Sequence, residues 1–162
     1  MRLSLIAVVA CLTIGAGPAL AQTEPAQLAP IPNAGGWMIA SPGQATECSA
    51  RLNGAQIDTI LTVNNDGRLV LIAGRPDWRG RPGKETVTLQ VDALPARHVS
   101  GDHVANLFLV LVADDALLKD VEGARQLTWT FKVGKFKASV TGLGAAFEAA
   151  KACKASLPAE PS

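Results

Sequence analysis

The chain has 162 residues, with 15 Lys and Arg against 14 Asp and Glu and a formal net charge of +1. So even a balance excludes a general binder of nucleic acid or of anionic membrane, which would carry a basic excess. Tyrosine is absent and aromatic residues make up 4% of the chain, which argues against a surface that stacks bases or sugars.

Residues 1–21, MRLSLIAVVACLTIGAGPALA, predict a cleaved secretory signal. Arg2 is the positive start and Leu3 to Ile14 the apolar run; Gly15, Gly17 and Pro18 break it before the small-x-small pattern Ala19-Leu20-Ala21. The run is shorter than the roughly 20 residues that a membrane span needs. A rival reading is lipidation at Cys11, because Val8-Val9-Ala10-Cys11 resembles a lipobox, although the apolar run continues past it. Removing 21 residues from 162 leaves 141, one ordinary domain with its own core. With no second long apolar run, that remainder is expected to be soluble and periplasmic or secreted.

Loss of Cys11 leaves Cys48 and Cys153. In an oxidising compartment two remaining cysteines are a natural pair. The bond would tie the last helix to the first strand region; two buried free thiols are the alternative.

Residues 22–36, QTEPAQLAPIPNAGG, have no periodic apolar pattern and predict a flexible lead-in, with a single domain over 37–157. Order is expected to begin at Trp37. Glu47 to Leu52 alternates Cys48, Ala50 and Leu52 against polar neighbours, the period of a strand with one face inward. Ile57 to Val63 and Arg68 to Ala73 predict a hairpin joined by the turn cluster Asn64-Asn65-Asp66-Gly67. Gly74 to Gly83 is a loop by composition. Glu85 to Asp92 is a strand with Val87, Leu89 and Val91 inward, followed by a loop over Ala93 to Asp102. Val104 to Ala113 is apolar on both faces and predicts a central strand covered on each side. Asp114 caps a short helix, with Leu117, Leu118 and Val121 inward and Gly123 stopping it. Leu127, Trp129 and Phe131 lead to a type II′ turn at Gly134-Lys135, and Phe136, Ala138 and Val140 return. Leu143, Ala146, Phe147, Ala150, Cys153 and Leu157 then share one helical face. The expected fold is α+β: a mostly antiparallel β-sheet, sandwich or half-barrel, with two short helices, the C-terminal one packed on the sheet.

In the second half, TVTLQVD, a long apolar strand, DDALLKDV, QLTWTFKV, FKASV and GLGAAFEAAKAC follow in an order that resembles the invasion-associated locus B family, small exported proteins of Gram-negative bacteria. The likeness covers roughly residues 84–156 and is one of order and pattern. The family carries extra cysteines in its middle region, where this chain has none. The resemblance implies a periplasmic, non-enzymatic protein of the bacterial envelope with a link to host interaction. The stretch GGWMIASPGQATECSARLNG is also similar to the start of bacterial periplasmic metalloprotease inhibitors. That second likeness implies an inhibitor whose segment before Trp37 enters an enzyme's cleft, although such barrels lack a C-terminal helix with the partner cysteine.

No nucleophile elbow, C-x-x-C pair or phosphate-binding glycine loop occurs in the sequence. The two histidines, His98 and His103, lie in ARHVSGDH with Ser100 and Asp102. They offer ligands or a catalytic set by residue type, but nothing in the spacing demands either, and a solvated polar loop is the expected reading. No enzyme activity, cofactor or metal is therefore expected. The denser candidate is RPDWRGRPGK, where Arg75, Arg79, Arg81 and Lys84 surround Trp78. Arginines bind carboxylate or phosphate in bidentate fashion, and an exposed Trp anchors interfaces; the other reading makes Trp78 a core residue under the loop. The expected function is an exported binding protein for an unknown protein or an anionic envelope component. A metalloprotease inhibitor is the alternative, and a hydrolase using the 98–103 loop is the third class.

Overall fold

The structure is a computed structural model that describes residues 28–40, 48–79 and 82–157. The expected signal over 1–21, the start of the lead-in, and Arg81 lie outside the described residues. The described strands are β1 (Leu28–Pro30), β2 (Met38–Ala40), β3 (Ser49–Leu52), β4 (Asp58–Val63), β5 (Leu69–Gly74), β6 (Gly83–Val91), β7 (Arg97–Val104), β8 (Leu107–Leu111), β9 (Gln126–Phe131) and β10 (Gly134–Ser139). Helix α1 spans Asp115–Glu122 and helix α2 Leu143–Ser156. The strands form one antiparallel sheet in the order β1-β2-β3-β4-β5-β8-β7-β6-β9-β10.

Short-range chemistry explains several elements. Between β4 and β5, the Asn64 side chain accepts from the backbone N–H of Asp66 (3.0 Å) and of Arg68 (2.8 Å), while Gly67 takes a positive φ of 78°. An asparagine folding back on its own backbone is the device that favours such turns. Asp114 caps α1 by accepting from Leu117 N at 2.9 Å, and Leu117 and Val121 are buried beneath it. The buried face of α2 is Leu143, Ala146, Phe147, Ala150 and Cys153, as its periodicity predicts. This helix lies against α1, β2, β3 and β4. Its far end is tied by the Cys48–Cys153 disulfide, with Cα atoms 5.7 Å apart. Lys154 Nζ reinforces that end by donating to the Val63 and Asn64 carbonyls at 3.0 and 2.6 Å.

Three expectations are corrected. The lead-in is not free from residue 28 onward: β1 pairs with β2, and Ala34 is buried. The glycines there serve close approach rather than flexibility. A Cβ on Gly142 would lie 2.7 Å from the Ala34 Cα, and one on Gly35 would strike the Thr141 carbonyl. The loop expected over Ala93 to Asp102 is mostly strand β7, and the long apolar strand from Val104 is β8 alone, entered by a turn with Ala105 at φ 54°. Strand β7 is hidden in the sequence because its inward positions include Gly101 and His103 in place of aliphatic residues. Gly101 is there for space, since a Cβ would stand 2.8 Å from the Phe108 ring. The β9–β10 turn falls at Lys132-Val133 rather than Gly134-Lys135, because Gly134 already pairs with Phe131. Its inward residues Phe136 and Ala138 are unchanged by that shift, since the register still sets Phe136 against Trp129.

The core sits on one face of the sheet, called here the inner face. In register it carries Ala50, Leu61, Leu71 and Val110 across the first half and Leu89, Trp129 and Phe136 across the second. Helix α2 and Trp37 join the same cluster. Each of the larger buried side chains contributes about 1.5–3 kcal/mol by leaving water.

Candidate functional site

Two places combine unusual residues. The first is at the end of the inner face, under the β5–β6 loop. Glu85 on β6 and His103 on β7 both point inward, because Glu85 pairs with Gly101 and His103 with Phe108. His103 Nε2 and Glu85 Oε2 are 2.6 Å apart, with side chains 14% and 20% exposed. Phe108 and Phe131 flank the imidazole at centroid distances of 4.9 and 6.1 Å. His103 Nδ1 is buried and has no partner among the described residues. The histidine thus belongs to a polar pair set into an aromatic end of the core.

That geometry separates the residues of ARHVSGDH. Ser100 and Asp102 lie on the opposite, outer face, and Ser100 Oγ is within 2.9 Å of Thr86 Oγ1. His98 is exposed there as well. Strand alternation puts His103 on one side of the sheet and the hydroxyl and carboxylate on the other, so no set of Ser100, Asp102 and His103 converges. Neither would His98 and His103 share a ligand.

Trp78 covers the same aromatic end. Its ring meets Phe131 edge-on at 4.7 Å, Phe136 at 5.9 Å and His103 at 6.0 Å. The indole is half-buried against the core. Two cations of the loop, Arg75 and Arg79, are turned to local partners. Arg75 donates to Asp77 at 2.8 and 2.6 Å and to the Gln56 carbonyl at 2.9 Å, and its guanidinium lies 4.5 Å over the Phe136 ring. The hydrogen bond from Arg75 holds the Asp77 carboxyl below the usual carboxylate range and raises the guanidinium in return. Arg79 Nη1 donates to the Pro76 and Trp78 carbonyls at 2.7 and 2.9 Å. Lys84 is exposed on β6, opposite Asp102. Arg75 and Arg79 are thus engaged within the loop, Lys84 stands beside Asp102 on the outer face, and Arg81 lies outside the described residues.

A double-mutant cycle checks the His103–Glu85 pair. Glu85→Leu or His103→Phe alone is expected to cost about 1–3 kcal/mol, because each leaves a partly buried polar group alone. Both together should cost less than the sum, and urea midpoints of the four proteins measure it. Additive losses would show that the two side chains do not stabilise one another.

The second place is the outer face of the central strands. A single register row runs Met38, Arg51, Ile60, Ile72, Leu109, Asp102 and Lys84 across β2, β3, β4, β5, β8, β7 and β6, with Ile72 at its centre only 8% exposed. Adjacent rows add Val70 beside Leu111 and Leu107 beside Val104. Among the described residues no helix or strand lies over these side chains, because both helices join the core on the inner face. Leu111 is 46% and Val104 53% exposed. The apolar run around Leu107–Leu111 was expected to be covered on both faces; the described elements cover only its inner one. The missed signal was the second apolar parity in ILTV and VLIA, which puts Ile60 and Ile72 outward.

The chain is thus a small α+β protein, mostly antiparallel sheet, with an aromatic-capped core end and an aliphatic sheet face over which no described helix or strand lies. It matches no family model, no curated protein and no solved structure.

Proposed function

We propose that this protein is an exported, non-enzymatic interaction protein of the bacterial envelope, and that it works through the outer face of β4, β5 and β8. The observation that carries the reading is that face itself. Leu111 and Val104 are exposed there beside the half-buried Ile60, Val70, Leu107 and Leu109, and exposed aliphatic side chains gathered on rigid strands mark protein contact surfaces. Arg75 and Arg79 of the Trp78 loop, which would favour an anionic envelope component, are engaged with Asp77 and nearby carbonyls, which favours a protein partner.

Export is supported by the signal-like start of the sequence and by the Cys48–Cys153 bond, which suits an oxidising compartment. The order of elements from β6 to α2 keeps the resemblance to the invasion-associated locus B family as the working kinship. A non-enzymatic role is supported by the split of His103 from Ser100 and Asp102 across the sheet. For the finer architecture, a half-barrel is favoured over a sandwich. Lys137 N donates to Gln56 Oε1 at 2.8 Å and Arg75 reaches the Gln56 carbonyl, drawing β10 toward the β3–β4 turn. The inhibitor reading gains no such support, since β1 and buried Ala34 hold most of the segment before Trp37 that would enter a cleft.

Site-directed photo-cross-linking in cells tests the reading. A cross-linking side chain at Leu111 or Val104 is expected to give a discrete protein adduct, and one at exposed Lys119 on α1 is expected to give none. Adducts from Lys119 alone, or from no position, would end it.

A further inference from the structure

We propose that the Asn53–Gly54 bond in the β3–β4 connection is a site of spontaneous modification, and that the Arg51–Asp58 ion pair sets how fast it reacts. Asparagine followed by glycine is prone to ring closure, because glycine has no side chain to hinder its backbone nitrogen. The Gly54 nitrogen bonds to the Asn53 Cγ and gives up its proton. The bond from Cγ to the side-chain nitrogen breaks, and ammonia leaves with that proton. Water then opens the five-membered succinimide at either carbonyl, giving aspartate or isoaspartate at position 53. Water is the only co-reactant, and Asn53 is exposed to it. The turn keeps this reactive dipeptide for a geometric reason: a Cβ on Gly54 would strike the Ile57 carbonyl.

One ion pair holds both reacting groups. Arg51 Nε donates to Asn53 Oδ1 at 3.0 Å, and its Nη2 donates to Asp58 Oδ2 at 2.9 Å. The other Asp58 oxygen accepts from the Gly54 N–H at 3.0 Å. The attacking nitrogen must lose its proton, and a carboxylate bonded to that proton disfavours a second negative charge beside it. The attacked amide has its oxygen turned to Arg51, and swinging Cγ onto the Gly54 nitrogen breaks that hydrogen bond. Arg51 and Asp58 are thus positioning residues that slow the closure. The site is also coupled to β10. Gln56, two residues past Gly54, accepts from Lys137 N at 2.8 Å through its side chain and from Arg75 Nη1 at 2.9 Å through its carbonyl. Isoaspartate at position 53 runs the chain through the side-chain carbon. The extra backbone atom moves Gln56 and frees the Lys137 N–H.

Peptide mapping by mass spectrometry tests the inference. The disulfide-bonded protein is held in mildly alkaline buffer, and conversion at Asn53 is compared with that of the same chain unfolded in urea. The native protein is expected to convert about tenfold more slowly, the scale of one charge-assisted hydrogen bond. Asp58→Asn and Arg51→Leu should each speed the native reaction at least about threefold on the same scale, with unchanged strand content by circular dichroism. Arg51→Lys keeps the charge but not the fork that holds two partners, so its rate should fall between, and it replaces Arg51→Leu if that variant loses strand content. The isoaspartate product, separated from the parent, should show faster hydrogen exchange at the Lys137 amide. An Asn53 that does not convert even in the unfolded chain overturns the inference. So does a native rate equal to or above the unfolded one, or a set of folded variants that keep the wild-type rate. Unchanged exchange at Lys137 in the product overturns the coupling to β10.

Discussion

Cys153→Ser is expected to lower stability by up to about 4–5 kcal/mol, the chain-entropy value for a loop of this length. The bond joins residues 105 positions apart, so its loss frees most of the described domain in the unfolded state. For a domain of this size that corresponds to a melting temperature lower by roughly 10–20 °C. The native fold should survive. Lys154 still grips the Val63 and Asn64 carbonyls, and Phe147 and Leu143 still fill the core. Circular dichroism should therefore show unchanged strand content below the transition. Cys48→Ser should match Cys153→Ser, and the double variant should be no worse than either, because all three remove one cross-link. A non-reduced digest should yield the two cysteine peptides joined. Two alkylatable thiols in natively isolated protein, or a melting shift of less than about 2 °C, would refute the claim.

Trp78→Ala carries the second large effect. The indole stands edge-on to Phe131 and Phe136 and shields the His103–Glu85 pair from water. Its removal should cost about 2–4 kcal/mol, below the full value for a buried Trp because the ring is half-exposed. The urea midpoint should fall while the m-value stays constant. Arg79→Ala, by contrast, removes hydrogen bonds confined to the loop's own carbonyls and should leave the midpoint nearly unchanged. A Trp78→Ala protein of wild-type stability would return the side chain to the role of a surface anchor and reopen the β5–β6 loop as the contact site.

The two places of interest differ in how they could be read. The outer face was half visible: VANLFLVLVA shows an apolar strand on both parities, but only the position of the helices decides which face they cover. The His103–Glu85 pair was not visible at all. Eighteen positions separate the two residues, and only the β6–β7 register brings them to the same side. The basic loop was conspicuous in sequence for its charge density, yet Arg75 and Arg79 are answered locally by Asp77 and by backbone carbonyls.

What the sequence determined by itself is what depends on near neighbours. The 3.6-residue repeat from Leu143 to Cys153 defines the buried face of α2; Asp114 and Gly123 bound α1; Asn64 and Gly67 turn the β4–β5 hairpin. The pairing of Cys48 with Cys153, expected from the sequence if a signal over 1–21 takes Cys11 away, is present in the structure. The tertiary structure alone decided the rest. β1 is held by its partner strand rather than by propensity, and its glycine turn exists because the Thr141–Gly142 backbone comes too close for a Cβ. β7 is a strand although its inward positions carry Gly101 and His103, because Phe108 fills the space above the glycine and Glu85 meets the imidazole. Periodicity reports which residues prefer a common side; it holds no record of what stands across from them, and at Gly101 and His103 the opposite neighbour sets the outcome.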